Sequence, residues 1–317
     1  MKKRPTMLSI LAALAVIAAP VARTESENRN ADEGVGPVSD VQVQDDVPVH
    51  IHLTRDAAEA AEAARTPLAR RSANMTYHGG KIMPTAVTKS IFWGPSWANA
   101  AFAGDKITGL DTWYSGFSNS DYAKTSDEYT GTNGQVGPLT THQGHVIDTS
   151  TSSGGGSTSA ILAEVCKVIT SPDPGGNGYY AVYTDKPRGS AGYCAYHTAG
   201  TCHGVPVQFA FFWILDGDAG CDPADTTTGH SEGLAALANV SGHELSEARS
   251  DPATPGAWYD SSGQENGDKC AWTFNVPAVT FPNGTQWKIQ GEWSNAAYSA
   301  GTGYPNASGQ RGCLDGH

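Results

Sequence analysis

The chain has 317 residues, with 20 Lys plus Arg against 32 Asp plus Glu and a formal charge of −12. A protein this acidic is repelled by phosphate backbones, which argues against nucleic acid as a partner. With 39% apolar residues and 8 Trp there is material for one core of ordinary domain size or two small ones, and 37 Gly with 18 Pro stay below the share that marks a low-complexity chain.

Lys2, Lys3 and Arg4 precede the apolar run Met7–Ala19, and small residues at Ala18, Ala19 and Ala22 offer a cleavage region. The run is shorter than the roughly 20 residues a spanning helix needs, so residues 1–22 read as a signal peptide and predict an exported protein with no stable membrane insertion. Its place is then extracellular, or periplasmic in a host with an outer membrane. Cys166, Cys194, Cys202, Cys221, Cys270 and Cys313 make an even number with no C-x-x-C spacing, which in an exported chain predicts three disulfides. Cys194/Cys202 and Cys270/Cys313 are the expected pairs.

Residues 23–74 read as an acidic leader, disordered or loosely held as a pro-segment. Within it Val49–Leu53 (VHIHL) alternates, and Arg55–Arg65 is Ala/Glu-rich with strong helix propensity. His50 and His52 offer ligands that would cap a metal in a zymogen, and Arg70-Arg71 offers a trypsin-like processing site. The compact domain is placed at 75–317. Ala86–Gly94 is a first strand, and Asp105–Phe117 has helical spacing. Thr149–Thr158 is a Gly/Ser loop, and Ser159 caps a helix that ends before Pro172. Tyr179–Asp185 and Val205–Ile214 are buried strands, Ser231–Ser250 is a long helix, and strands AWTFNV and TQWKIQGEW close the chain. Alternating strands and helices followed by strands predict α/β to α+β layering.

The long helix carries Gly242-His-Glu-Leu-Ser-Glu247. His243 and Glu247 are spaced i, i+4 and leave the same face one turn apart, which suits two ligands on one zinc ion. Glu244, one residue round, takes the general-base place of H-E-x-x-H metallopeptidases. Here a carboxylate stands where the second histidine would be, which adds negative charge and makes the metal a weaker Lewis acid. Glu265 follows Glu247 by 18 residues, close to the interval at which thermolysin-like enzymes bring a third, glutamate ligand, and Asp268 competes with it. Asp251 lies about 12 Å along the helix from His243 and reads better as a partner orienting its imidazole.

Tyr77–Trp97 (YHGGKIMPTAVTKSIFWGPSW), Cys194-Ala-Tyr-His197, SGHELSEARSDP, Ala257-Trp-Tyr259 and ENGDKCAW together resemble the EXORDIUM-like (phosphate-induced protein) family over about Tyr77–Cys313. The resemblance implies an extracellular or cell-wall location and a zincin-like single catalytic-type domain, disulfide-stabilised, with a mixed sheet and a long metal-site helix. His243, Glu244, Glu247, Glu265 and Asp268 all find counterparts in the family's pattern, whereas relatives can hold Asn at position 251.

The resulting expectation is a secreted zinc-dependent metallopeptidase-like protein acting on a peptide or protein. His243, Glu247 and Glu265 hold the zinc, with water in the fourth position and Asp268 beside them. Glu244 takes the proton from that water, and Tyr259 donates to the oxyanion. The alternative is a non-catalytic extracellular signalling or wall-binding protein in which the acidic cluster is structural. His197 and His203 flank Cys202 and are further candidates to hold the metal or an oxyanion, His230 precedes the long helix in a capping or solvent-facing place, and Asp216, Asp218, Asp222 and Asp225 form an acidic turn that offers oxygens to calcium without EF-hand spacing. Oligomeric state is not legible.

Overall fold

The computed structural model describes residues 42–43, 50–65 and 73–317. The expected signal peptide, most of the acidic leader and Arg70-Arg71 lie outside the described residues. A seven-stranded mixed sheet organises the rest. Its strands are β1 (Gln42–Val43), β2 (His50–Leu53), β3 (Ala86–Trp93), β4 (Thr140–Asp148), β5 (Gly178–Pro187), β6 (Tyr193–Cys202) and β7 (Val205–Ile214). In space they run β4-β3-β5-β7-β6, with the first four parallel and β6 antiparallel to β7. Both β1 and β2 pair antiparallel with the outer side of β6. Residues 50–65, placed by the sequence within the leader, are therefore part of the domain's sheet and continue into α1 (Arg55–Ala64).

The central strands are buried on both faces, which is why Tyr179–Tyr183 and Val207–Ile214 read as continuous apolar runs. α2 (Lys106–Phe117) and α4 (Glu232–Ser250) cover one face, where the Tyr183 hydroxyl lies 2.9 Å from that of Tyr114 and 2.7 Å from Ser241 Oγ. α3 (Thr158–Val168) is tied to the other face by Cys166–Cys202, since Cys202 and His197 are five positions apart on β6 and point oppositely. The cap of α3 is Ser157 rather than Ser159, its hydroxyl accepting from Ala160 N–H.

Three disulfides are present: Cys166–Cys202, Cys194–Cys221 and Cys270–Cys313. The expected Cys270/Cys313 pair forms. Cys194/Cys202 does not, because both residues lie on β6, eight positions and so about 26 Å apart along an extended strand. AWTFNV is not a strand: it turns at Trp272, whose φ is 57°. TQWKIQGEW contributes only Gln286–Trp287 and Glu292–Trp293. β4 and β6 escaped the sequence reading, β4 because its burial alternates at a polar sheet edge. No helix among the described residues is long and apolar enough to cross a membrane.

Candidate metal centre

α4 begins at Ser231, whose hydroxyl accepts from Leu234 N–H, and stops before Pro252. Every residue from Gly233 to Ser250 is buried, so each polar side chain must find its partner inside the protein. Asn239 Oδ1 accepts Gln290 N–H at 2.8 Å, and the Arg249 guanidinium donates to the carbonyls of Ala123 and Gly137 at 3.1 and 2.7 Å. His243, Glu244 and Glu247 instead meet side chains from β2, β6 and the loop entering α5 (Asn266–Lys269).

His243 Nε2 lies 3.1 Å from Glu247 Oε1 and 3.8 Å from Asp268 Oδ1. His197 Nε2 lies 3.5 Å from Glu247 Oε2 and 3.2 Å from Glu265 Oε2. His50 Nδ1 reaches the same Glu265 oxygen at 2.9 Å. The sheet register explains the histidines. His50 is paired directly with His197 and His52 with Ala195, so all three imidazoles project from one face. The small Ala195 leaves room for the fully buried His52 ring, 3.9 Å from that of His243 and 4.8 Å from that of Trp272.

Gly267 makes the approach of loop and helix possible. A Cβ there would lie 2.7 Å from His243 Nδ1 and 3.0 Å from Glu247 Oε1. The next residue's N–H donates to Glu247 Oε1 at 2.9 Å. Gly267→Ala is therefore expected to push loop and helix apart and weaken zinc binding roughly 10–100-fold, as losses of supporting contacts do, with the disulfides intact. Zinc titration against wild type checks it; unchanged affinity would mean the loop does not support the site.

The centre's electrostatics follow from packing charges in a dry place. Burial works to lower the His197 pKa, but the Glu265 and Glu247 carboxylates outweigh it and hold it well above 6.5. Burial likewise acts to raise Glu247 and Glu265, yet the imidazoles beside them keep both below 4.5. Glu244 and Asp268 go the other way. Burial and the charges of their carboxylate neighbours push both well above their usual range. Burial and then His243 push His52 well below 6.5.

A donor set of imidazoles and carboxylates suits zinc. Buried His243 Nε2, both Glu244 carboxylate oxygens and Glu265 Oε1 have no hydrogen-bond partner within the protein, which leaves their lone pairs open to an ion or to water. One contact opposes the fit. The Gln290 amide, held by Gly267 O at 2.9 Å and by Trp272 N–H at 3.2 Å, presents its nitrogen to His243 Nδ1 at 3.0 Å. A cation on Nε2 leaves the ring proton on Nδ1, and Gln290 must then turn.

His243, Glu244, Glu247, Glu265 and Asp268 thus come together, with Asp268 grouped with His243 and Glu247, and Glu265 with His197 and His50. Tyr259 contributes none of the centre's hydrogen bonds; it stacks on His78 at 3.6 Å. Asp251 does not orient His243, because its Oδ1 accepts from Ala257 N–H, and Gln290 faces that imidazole instead. His203 lies against Cys166 O, and His230 stacks on Trp287. The acidic turn spends its carboxylates separately, Asp216 on Lys106, Asp218 on Arg188, and Asp222 and Asp225 on local N–H groups. No protein-family model, curated protein or solved structure matches this chain.

Proposed function

We propose that this chain is a secreted, zinc-dependent hydrolase of peptide bonds with a zincin-like domain, related to the EXORDIUM-like proteins that its sequence resembles. The observation that carries the reading is the juxtaposition on one helix of the His243–Glu247 ligand pair, completed by Asp268, with a buried Glu244 whose two carboxylate oxygens are unengaged. Zinc would supply Lewis acidity to polarise a carbonyl and to acidify water. Glu244 holds the place of the general base, taking a proton at a carboxylate oxygen and returning it to the departing amine. Asp268 is the partly exposed member of its triad and lines a cavity of about 690 Å³ between α1 and residues 264–273 and 306–310, a volume within the range of ligand pockets. Arg55, Glu62, Arg65 and Lys269 give that cavity charges of both signs. Three disulfides support an extracellular setting.

A non-catalytic extracellular role is favoured by one feature, the cover that His50 and His52 place over the centre. Metal analysis of the purified full-length chain, then cleavage of an unfolded protein before and after limited trypsin treatment, separates the readings. Zinc with cleavage that a chelator abolishes and zinc restores is expected. Zinc without cleavage in either form selects the non-catalytic role, and a chain that binds no zinc at micromolar concentration overturns the hydrolase and leaves the non-catalytic reading with a purely structural acidic cluster.

A further inference from the structure

The cavity beside Asp268 holds one cation that no carboxylate of the described residues neutralises. Of the three cations that line it, Arg65 is paired with Glu62 at 3.4 Å and Lys269 with the buried Asp260 at 2.9 Å. The guanidinium of the third, Arg55, makes a single hydrogen bond, from Nη2 to Asp222 O at 2.5 Å. Its Nε is buried and has no partner within the protein. Glu59, one helical turn on, is exposed and does not bond to it.

Arg55 is also held in place. Its backbone N–H bonds to Gly220 O at 2.9 Å, and Asp222 adjoins Cys221, whose disulfide to the buried Cys194 pins that loop. The guanidinium carbon lies 5.4 Å from the centre of the Trp272 ring. Trp272 is fixed in turn by donating from Nε1 to Leu53 O at 3.0 Å and by stacking on His52. Backbone, head group and flat face are therefore set before a ligand arrives, which removes much of the ordering cost of binding. A half-buried guanidinium with donors to spare favours a planar anion that accepts parallel N–H groups.

Charge decides which anion. The chain carries −12, and Glu59, Glu62 and Asp268 line the same cavity, so a doubly charged phosphate or a polyanion is repelled. A carboxylate brings one charge. Ala58, Ala271 and Ala307 offer small apolar surface to the chain that carries it, and Asn306, Ser308 and Gln310 offer hydrogen-bonding groups.

We propose that Arg55 is a specificity residue that seats a carboxylate of a peptide ligand in this cavity, from the C-terminus or from an acidic side chain. The inference rests on the peptide-hydrolase reading and deepens it by naming the substrate class. A peptide so anchored shares its cavity with Asp268, the partly exposed member of its triad.

The test is binding to the full-length chain with chelator present, so that no cleavage intervenes. The probes are short acetylated alanine peptides: one with a free C-terminus, one amidated, and one amidated but carrying a single Glu. By calorimetry, one or both acids are expected to bind roughly 10–100-fold more tightly than the neutral amide, the worth of a hydrogen bond to a charged group. The tighter acid identifies the source of the carboxylate. Arg55→Gln should abolish the difference with its circular dichroism unchanged. Equal binding of all three peptides, binding of none, or a preference that survives in Arg55→Gln overturns the proposal. None of these touches the hydrolase reading, which stands or falls on zinc content and cleavage. If Arg55→Gln fails to fold, nuclear magnetic resonance of the wild type decides. The bound acid should shift the indole N–H signal of Trp272, and an acid that binds without shifting it overturns the assignment to Arg55.

Discussion

Glu244→Gln is expected to retain zinc and to lose peptide hydrolysis by roughly 10²–10⁴-fold, the contribution of a positioned general base. The substitution keeps the shape of the side chain and removes only its capacity to accept a proton. Because neither Glu244 oxygen is hydrogen-bonded, no internal contact is broken. Metal content and kcat/KM, measured on the same preparation, check the expectation; activity equal to wild type would remove Glu244 from the mechanism.

Removing the Cys270–Cys313 bridge by the double substitution Cys270→Ser, Cys313→Ser is expected to cost about 4 kcal/mol, the loop-closure value for a sequence separation of 43 residues. This bridge differs from the other two in its position. Cys270 N–H bonds to Gly267 O, directly behind the residues that present Asp268 and Glu265 to the centre. Zinc affinity should therefore fall together with the melting temperature. A stability loss below about 1 kcal/mol, read from denaturant unfolding, would mean that the bound loop is fixed by packing alone.

What the sequence made legible is what is local. H-E-L-S-E declares a pair of ligands and a base because 3.6-residue periodicity alone places them, and Ser231 and Pro252 bound the helix chemically. Glu265 and Asp268 were found by interval, but which joins His243 depends on the turn at Gly267, a contact between segments about 24 positions apart. His197 was flagged only for its proximity to Cys202. Its true context is the register of β2 on β6, which sets His50 opposite it across 147 positions. The alternation of His50 and His52 was the available signal, and it says only that they share a face. Gln290 left no trace, since an amide facing an imidazole has no spacing rule.

The pairing of β2 with β6 makes occupancy of that sheet edge a question of concentration. An extended chain that approaches the outer side of β6 competes with a strand belonging to the same molecule, joined to the rest of the domain through residues 66–72. A segment of the same chain competes at an effective concentration set by its covalent connection rather than by the protein's own. A peptide taking that edge must displace four strand residues and carry away the ten-residue helix behind them. Cutting within residues 66–72 would break the covalent connection and leave the β2–β6 pairing itself in place. Once displaced, the segment would then have to return as a separate molecule, and the pairing would depend on protein concentration.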